Sequence, residues 1–214
     1  MKPHPLFALG AILMAGVAVG ANTAPQALLP CPSDYHYNDS VDYHDPAAQV
    51  RIHGIEGNHL NADVENLVRG QSTSSASGDL RFILGYVPNH RRAMAALMRM
   101  ALRDRTDRLP ELGEFTVRCW LHRGTVYSPK DAEARMLYGI YLARNNMNKE
   151  AIEELEEASA LLPNNSELSY NLGLLFFNQK DYKTSATHAK RAYELGYPLP
   201  GLRQKLTSVG VALD

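Results

Sequence analysis

Along the second half of the chain, apolar residues recur about every 3.6 positions in two pairs of stretches, 132–145 with 149–162 and 166–179 with 182–196. Each stretch has one apolar and one polar side, and a short break separates the members of a pair, so each pair predicts a helical hairpin. The two hairpins repeat at a spacing of 34 residues, which aligns Gly139 with Gly173, Ala158 with Ala192, Tyr138 with Leu172 and Pro129 with Pro163. Pro198 falls one residue past the next expected place. Such self-similarity predicts an all-α solenoid of stacked helix pairs.

The same patterning weakens toward the N-terminus. Met94, Leu97, Met98 and Ala101 form one stripe and Val117, Trp120 and Leu121 a second, which predicts an earlier, degenerate hairpin between Arg91 and Pro129. Pro88 and Pro129 are 41 residues apart, 7 more than the repeat, and the excess is placed in the turn at 104–113, where Pro110 and Gly113 break the pattern. Residues 79–86 read as helix, the possible second half of a more worn unit whose first half is the stretch at 61–69. There Asn61 caps, Val64, Leu67 and Val68 make the stripe, and Gly70 ends it. Leu199, Leu202, Leu206 and Val209 recur at helical spacing beside Arg203, Gln204 and Lys205, which predicts a C-terminal capping helix. Residues 25–57, rich in Pro, Asp, Tyr and His and lacking any period, read as irregular, and the Ser-rich run 71–78 reads as a polar linker.

The run Tyr138-Gly139, Ala151, Leu155, Ala158, Pro163 resembles the tetratricopeptide signature. That family places small residues where its helices approach closely, and Gly139, Gly173, Ala151, Ala158 and Ala192 fit. Ser185 stands where alanine is usual and Ala189 where a large apolar residue is usual, so looser packing is expected in the last hairpin. The whole chain, including Gly78-Asp79-Leu80, Pro88-Asn89-His90 and Gly196-Tyr197-Pro198-Leu199-Pro200-Gly201, resembles exported bacterial proteins that carry these repeats; the resemblance supplies no activity. It implies a groove lined by the first helix of each hairpin. By register the lining is Arg92, Arg99 and Arg103, then Glu133, Met136, Ile140 and Arg144, then Glu167, Tyr170, Leu174, Phe177 and Asn178. A surface graded from basic to apolar suits a peptide with an acidic part and an apolar part. Alternatively, the apolar residues pack against the C-terminal helix or the extension, and the arginines are a solvated face. Asn171 matches one position of the set by which some members grip a peptide carboxylate, but the rest of that set is missing, and the specificity is not carried over.

Lys2 followed by the apolar run 5–19 reads as a signal peptide, too short to span a bilayer comfortably, with 1–24 removed on export. The protein is therefore expected in the periplasm or outside the cell, with no stable membrane span after cleavage. Residues 25–78 then form the extension and 79–214 the helical repeats. Cys31 and Cys119 are the only cysteines, and in an oxidising compartment an even pair predicts a bridge, the alternative being two separate thiols with Cys119 in the core. The 22 basic against 23 acidic residues exclude a global field that would draw the chain onto nucleic acid.

The cluster Asp34, His36, Asp39, Asp42, His44 and Asp45, with His53 and His59 beyond it, holds metal-ligand types without a metal-ligand spacing, and no metal or other cofactor is expected. No nucleophile elbow, phosphate loop, zinc-protease helix or haem-attachment pattern occurs, so no catalytic residue is assigned. The sequence thus reads as an exported, non-enzymatic scaffold or adaptor for a protein or peptide partner in the cell envelope. The alternatives are a small ligand- or metal-binding protein whose extension folds over the groove, and an accessory subunit of an envelope enzyme.

Overall fold

Prolines and caps divide the chain into its helices. In a computed structural model, which describes residues 31–32 and 34–213, the described residues form ten α-helices and no strand. The expected signal peptide lies outside the described residues. The hairpins are α4 (Arg91–Asp104) with α5 (Val117–Tyr127), α6 (Ala132–Arg144) with α7 (Asn148–Leu161), and α8 (Ser166–Asn178) with α9 (Tyr182–Glu194). Two residues after Pro88, Pro129 and Pro163, a side chain caps the next first helix: His90 Nδ1 accepts from the Ala93 N–H, Asp131 Oδ1 from those of Glu133 and Ala134, and Asn165 Oδ1 from those of Glu167 and Leu168. Beyond each first helix one residue turns left-handed, Arg105, Asn146 and Lys180, with φ of 52°, 63° and 64°. Caps and turns keep the same register in all three units, so the degenerate first unit is a true copy.

Close packing explains the small residues. A Cβ on Gly139 would lie 2.8 Å from the Leu155 side chain, and one on Gly173 would lie 2.5 Å from Leu202. The looser packing expected of the last hairpin is not found. The Ser185 hydroxyl is fully buried and donates to the Gly173 carbonyl at 2.7 Å, while Leu202 joins Ala189 in one apolar cluster and supplies the volume that a larger residue would have filled. Leu202 comes from α10 (Gly201–Ser208), the expected capping helix, which buries Leu202 and Leu206; Val209 lies beyond its end and is exposed. The 7-residue excess is a folded loop with a 3₁₀ turn at Pro110–Leu112, whose Leu112 is buried and accepts from Trp120 Nε1 at 3.2 Å.

The N-terminal part departs most from expectation. Residues Gln49–His59 form a helix, α1, preceded by a 3₁₀ turn at Pro46–Ala48 that Asp45 caps. Two glycines and the absence of a stripe hide this helix in the sequence; it is held by Ile52, which packs with Ala48 and Val87. The stretch at 61–69 is helical only as α2 (Ala62–Glu65), capped by Asn61 and closed where Leu67 turns left-handed, so Val64 is buried and Val68 exposed. Helix α3 (Ala76–Tyr86) starts three residues earlier than expected, capped by Ser75. It ends 41 residues before α5 does, and α1 begins 42 before α4, so α1 and α3 hold the register of a fourth, worn unit. Leu60, Val64 and Ala76 share one core with Leu80 and the following helices as far as Leu175.

Nor is the Ser-rich run a linker without contacts. It wraps the fully buried carboxylate of Asp79, which accepts from the N–H of Gln71 at 2.6 Å, from those of Ser72 and Thr73 at longer range, and from His59 Nδ1 at 2.6 Å. Burial pushes this carboxyl up, but the Gln71, His59 and Thr73 hydrogen bonds outweigh it and hold the group below the usual range. A carboxyl depressed on folding stabilises above its unfolded pKa, and that contribution is lost as pH falls through the folded value. The Asp79→Asn variant is expected to lose about 2 kcal/mol near neutral pH and to lose less stability than wild type below the ordinary carboxylate range, read from urea midpoints between about pH 7 and 2. An unchanged midpoint at pH 7 would show that the wrap does not depend on the charge.

Candidate interaction surface

The first helices α4, α6 and α8 lie side by side, and each presents a charge at its second residue: Arg92, Glu133 and Glu167. On α4 the chain meets its own arginines. Arg92 grips both oxygens of Glu65, at 3.0 and 2.7 Å, and reaches Glu56 at 3.3 Å. Arg99 donates to the Glu65 carbonyl at 2.7 Å, and Arg103 pairs with Asp104 and touches the Leu67 carbonyl. His90 is fully buried; because its Nδ1 accepts the cap hydrogen bond, Nε2 carries the proton of the neutral ring and donates to Glu56 at 3.0 Å. The hydrogen bond from His90 lowers the Glu56 carboxyl below its usual range, and that from Arg92 does the same for Glu65. The end of the surface expected to be basic is thus covered by α1 and α2.

Farther along, Glu133 pairs with Arg91 at 2.9 Å, Met136 and Ile140 are buried in the main core, and Arg144 is exposed. On α8, Tyr170 is buried and stacks on Tyr197 with ring centroids 4.0 Å apart. Leu174 and Phe177 are half-buried against the Leu202 and Leu206 cluster, Lys205 lies 5.4 Å from the Phe177 ring centre, and Asn178 is exposed. The apolar residues of the last unit therefore pack on the C-terminal helix and its approach. Of the expected lining on α6 and α8, Arg144 and Asn178 are exposed, and Glu133, Glu167, Leu174 and Phe177 are half-buried.

The expected bridge is present: Cys31 and Cys119 are bonded to each other across 88 residues. The contacts that follow it escape sequence reasoning. Downstream of that bridge the strap 34–45 lies along α3, α5 and α6. The Tyr35 hydroxyl donates to the Cys119 carbonyl and lies 3.0 Å from His122 Nδ1, and the Tyr37 hydroxyl donates to the Arg123 carbonyl. The Tyr43 N–H meets Asn89 Oδ1, while the buried Asn89 amide donates to Asp131 and to Asp42. His44 Nε2 completes the set on Asp131 at 3.1 Å. Between strap and second hairpin lies an open cleft of about 740 Å³ lined by Tyr43, His44, Arg91, Lys130, Leu161 and Leu162 among others. Three histidines of the Asp- and His-rich cluster are spread over separate partners: His44 faces Asp131, His59 faces Asp79 and His53 the Gln49 carbonyl. Among the described residues no three His, Cys, Asp or Glu side chains converge to hold a metal. No described helix is long and apolar enough to cross a membrane.

No protein-family profile matches the chain, and no curated protein matches it. Solved structures do. PilF of Pseudomonas aeruginosa is 21% identical, with a TM-score of 0.53 over 76% of this chain and 67% of that one. A crystal structure of MamA is 17% identical, with a TM-score of 0.51 over 79% of this chain and 87% of that one. The chain spans 64% of the length of a MamA RS-1 double mutant, at 23% identity and a TM-score of 0.45. Together with the repeat register, the likenesses to PilF and to the crystal structure of MamA show a tetratricopeptide-like fold, an all-α helical solenoid.

Proposed function

We propose that the protein is an exported scaffold that holds a protein partner on the strip formed by α6 and α8. The observation that carries this is the disposition of the first helices: α1 and α2 close one end of their face, α10 closes the other, and the middle keeps exposed polar groups beside half-buried apolar ones. A surface of charged and amide side chains around Leu174 and Phe177 suits an extended or helical segment better than a small molecule. The disulfide supports export, since such bridges persist in oxidising compartments. The fold likeness to PilF and MamA supports a scaffold over an enzyme.

The extension does not favour the small-ligand alternative. Tyr35, Tyr37 and Tyr43 pack at the α3, α5 and α6 edge, against His122, Tyr127 and His90, rather than over α8. The test is affinity purification from the native cell envelope with mass spectrometry, beside an Arg144→Glu, Asn178→Arg variant. A partner retained by the wild type and lost from the variant is the expected result, and a partner with known catalytic activity would make the protein an accessory subunit. Identical eluates would move the site to the cleft at Tyr43 and Leu162.

A further inference from the structure

The second residue of each first helix offers an internal comparison. In the first hairpin Arg92 is held by Glu65 and Glu56; in the second, Glu133 is held by Arg91, the first residue of the preceding first helix. For Glu167 the residue in the place of Arg91 is Ala132, whose methyl can hold nothing. The Glu167 backbone is satisfied, its N–H by Asn165 and its carbonyl by Asn171, but its carboxylate makes no hydrogen bond or ion pair among the described residues. It is half-buried, and burial, with no cation to oppose it, raises its carboxyl above the usual range. Beside it stands the Tyr170–Tyr197 ring pair, and Tyr197 is pushed up to about 12 by its own burial and then by the Glu167 charge.

We propose that Glu167 is the docking point for a lysine or arginine side chain of the partner segment, with the half-buried Tyr197, backed by the buried Tyr170, as the wall against which its aliphatic stem and cationic head lie. This rests on the α6–α8 strip being the docking face. A carboxylate taken partly out of water lacks only the counter-charge that a guanidinium or ammonium brings, and aromatic rings add a cation–π term. The partner so described is cationic at this point, the opposite of the acidic peptide that the α4 arginines would take if they were free. Those arginines already have Glu56, Glu65 and Asp104.

The probes are four pools of acetylated, amidated decapeptides, random except for a central Lys, Arg, Gln or Glu, titrated into the disulfide-bonded protein by fluorescence polarisation. Backbone amide shifts are followed by NMR. The Lys and Arg pools are expected to bind at least ~10-fold tighter than the Gln and Glu pools, with shifts at 166–174. Glu167→Gln, which keeps the side-chain shape, is expected to erase that preference while leaving the melting temperature within a few degrees. Binding without charge preference but with the same shifts overturns the cation assignment and leaves the docking face standing. A preference for Lys and Arg that survives Glu167→Gln, or a preference for the Glu pool, overturns the proposal. A Glu167→Gln variant that loses stability but not preference makes the carboxylate a partner of the α8 dipole only. Failure of every pool to bind overturns the docking face and this proposal together.

Discussion

Replacing Cys31 by serine and Cys119 by alanine is expected to lower the unfolding free energy by about 4–5 kcal/mol, the chain-entropy value for a loop of this length. The bridge spans 88 residues and so restrains nearly half of the unfolded chain. In the folded state it does comparatively little, because the strap is also held by Tyr35, Tyr37, Tyr43 and His44. The variant should therefore keep its helical content at 25 °C and melt on the order of 10 °C lower. Hydrogen exchange should report a milder local change: the Val41 N–H, bonded to the Tyr86 carbonyl at 2.8 Å, should exchange faster than global unfolding alone requires, while amides of α6 and α8 should speed up only to the new global limit. A loss below about 1 kcal/mol would mean that residual structure already holds the two cysteines together in the unfolded chain.

The parts of the molecule that were legible before its structure are those whose causes are local or periodic. Helices α6 to α9 are placed to within one or two residues because caps, prolines and stripes all lie inside the element they define, and the repeat of 34 checks each against the other. The cysteine pairing follows from counting. Helix α1 was hidden because its one fully buried residue, Ile52, draws its stability from Val87, thirty-five positions away. The Ser-rich run was misread for the same reason: a row of small polar residues looks structureless until the buried Asp79 that it wraps is known.

For the candidate surface the register was legible and the occupancy was not. Helical spacing puts Arg92, Arg99 and Arg103 on one side of α4, but nothing in the sequence says that Glu65, twenty-seven residues before Arg92, turns back to meet them. Tyr170, Leu174 and Phe177 show the same limit, since the partners that cover them come from 197–206. The contrast that singles out Glu167 needs both kinds of information. Repeat alignment makes the three positions comparable, and the contacts show which one is left without a counter-charge.

Arg123 lies off the stripe of Val117, Trp120 and Leu121 on α5, yet it is 5% exposed. Its Nη1 donates to the Leu84 carbonyl at 2.5 Å, and its Nη2 donates to the carbonyls of His36 at 2.9 Å and Gly85 at 3.3 Å, with the Ser40 hydroxyl at 3.5 Å. The guanidinium lies over Tyr37 at 4.7 Å and near Trp120 at 5.6 Å. No carboxylate pairs with it among these contacts, and burial pulls its pKa down from the usual arginine value, which the charges of Tyr37 and Tyr35 only partly oppose. One side chain thus joins α3, α5 and the strap, through the buried Leu84 carbonyl and the part-buried carbonyls of Gly85 and His36. Arg123→Met is expected to cost about 4 kcal/mol, since several acceptors lose a charged donor at once and no water can reach all of them. Arg123→Lys should recover less than half of this, because a point-like ammonium cannot span the Leu84 and His36 carbonyls as the planar fork does. In the disulfide-bonded protein, urea midpoints give the loss. Faster exchange at Val41 and Tyr43 without change in α8 would place it at the strap, and a midpoint within 1 kcal/mol of wild type would show that the strap is anchored by its tyrosines and the bridge alone.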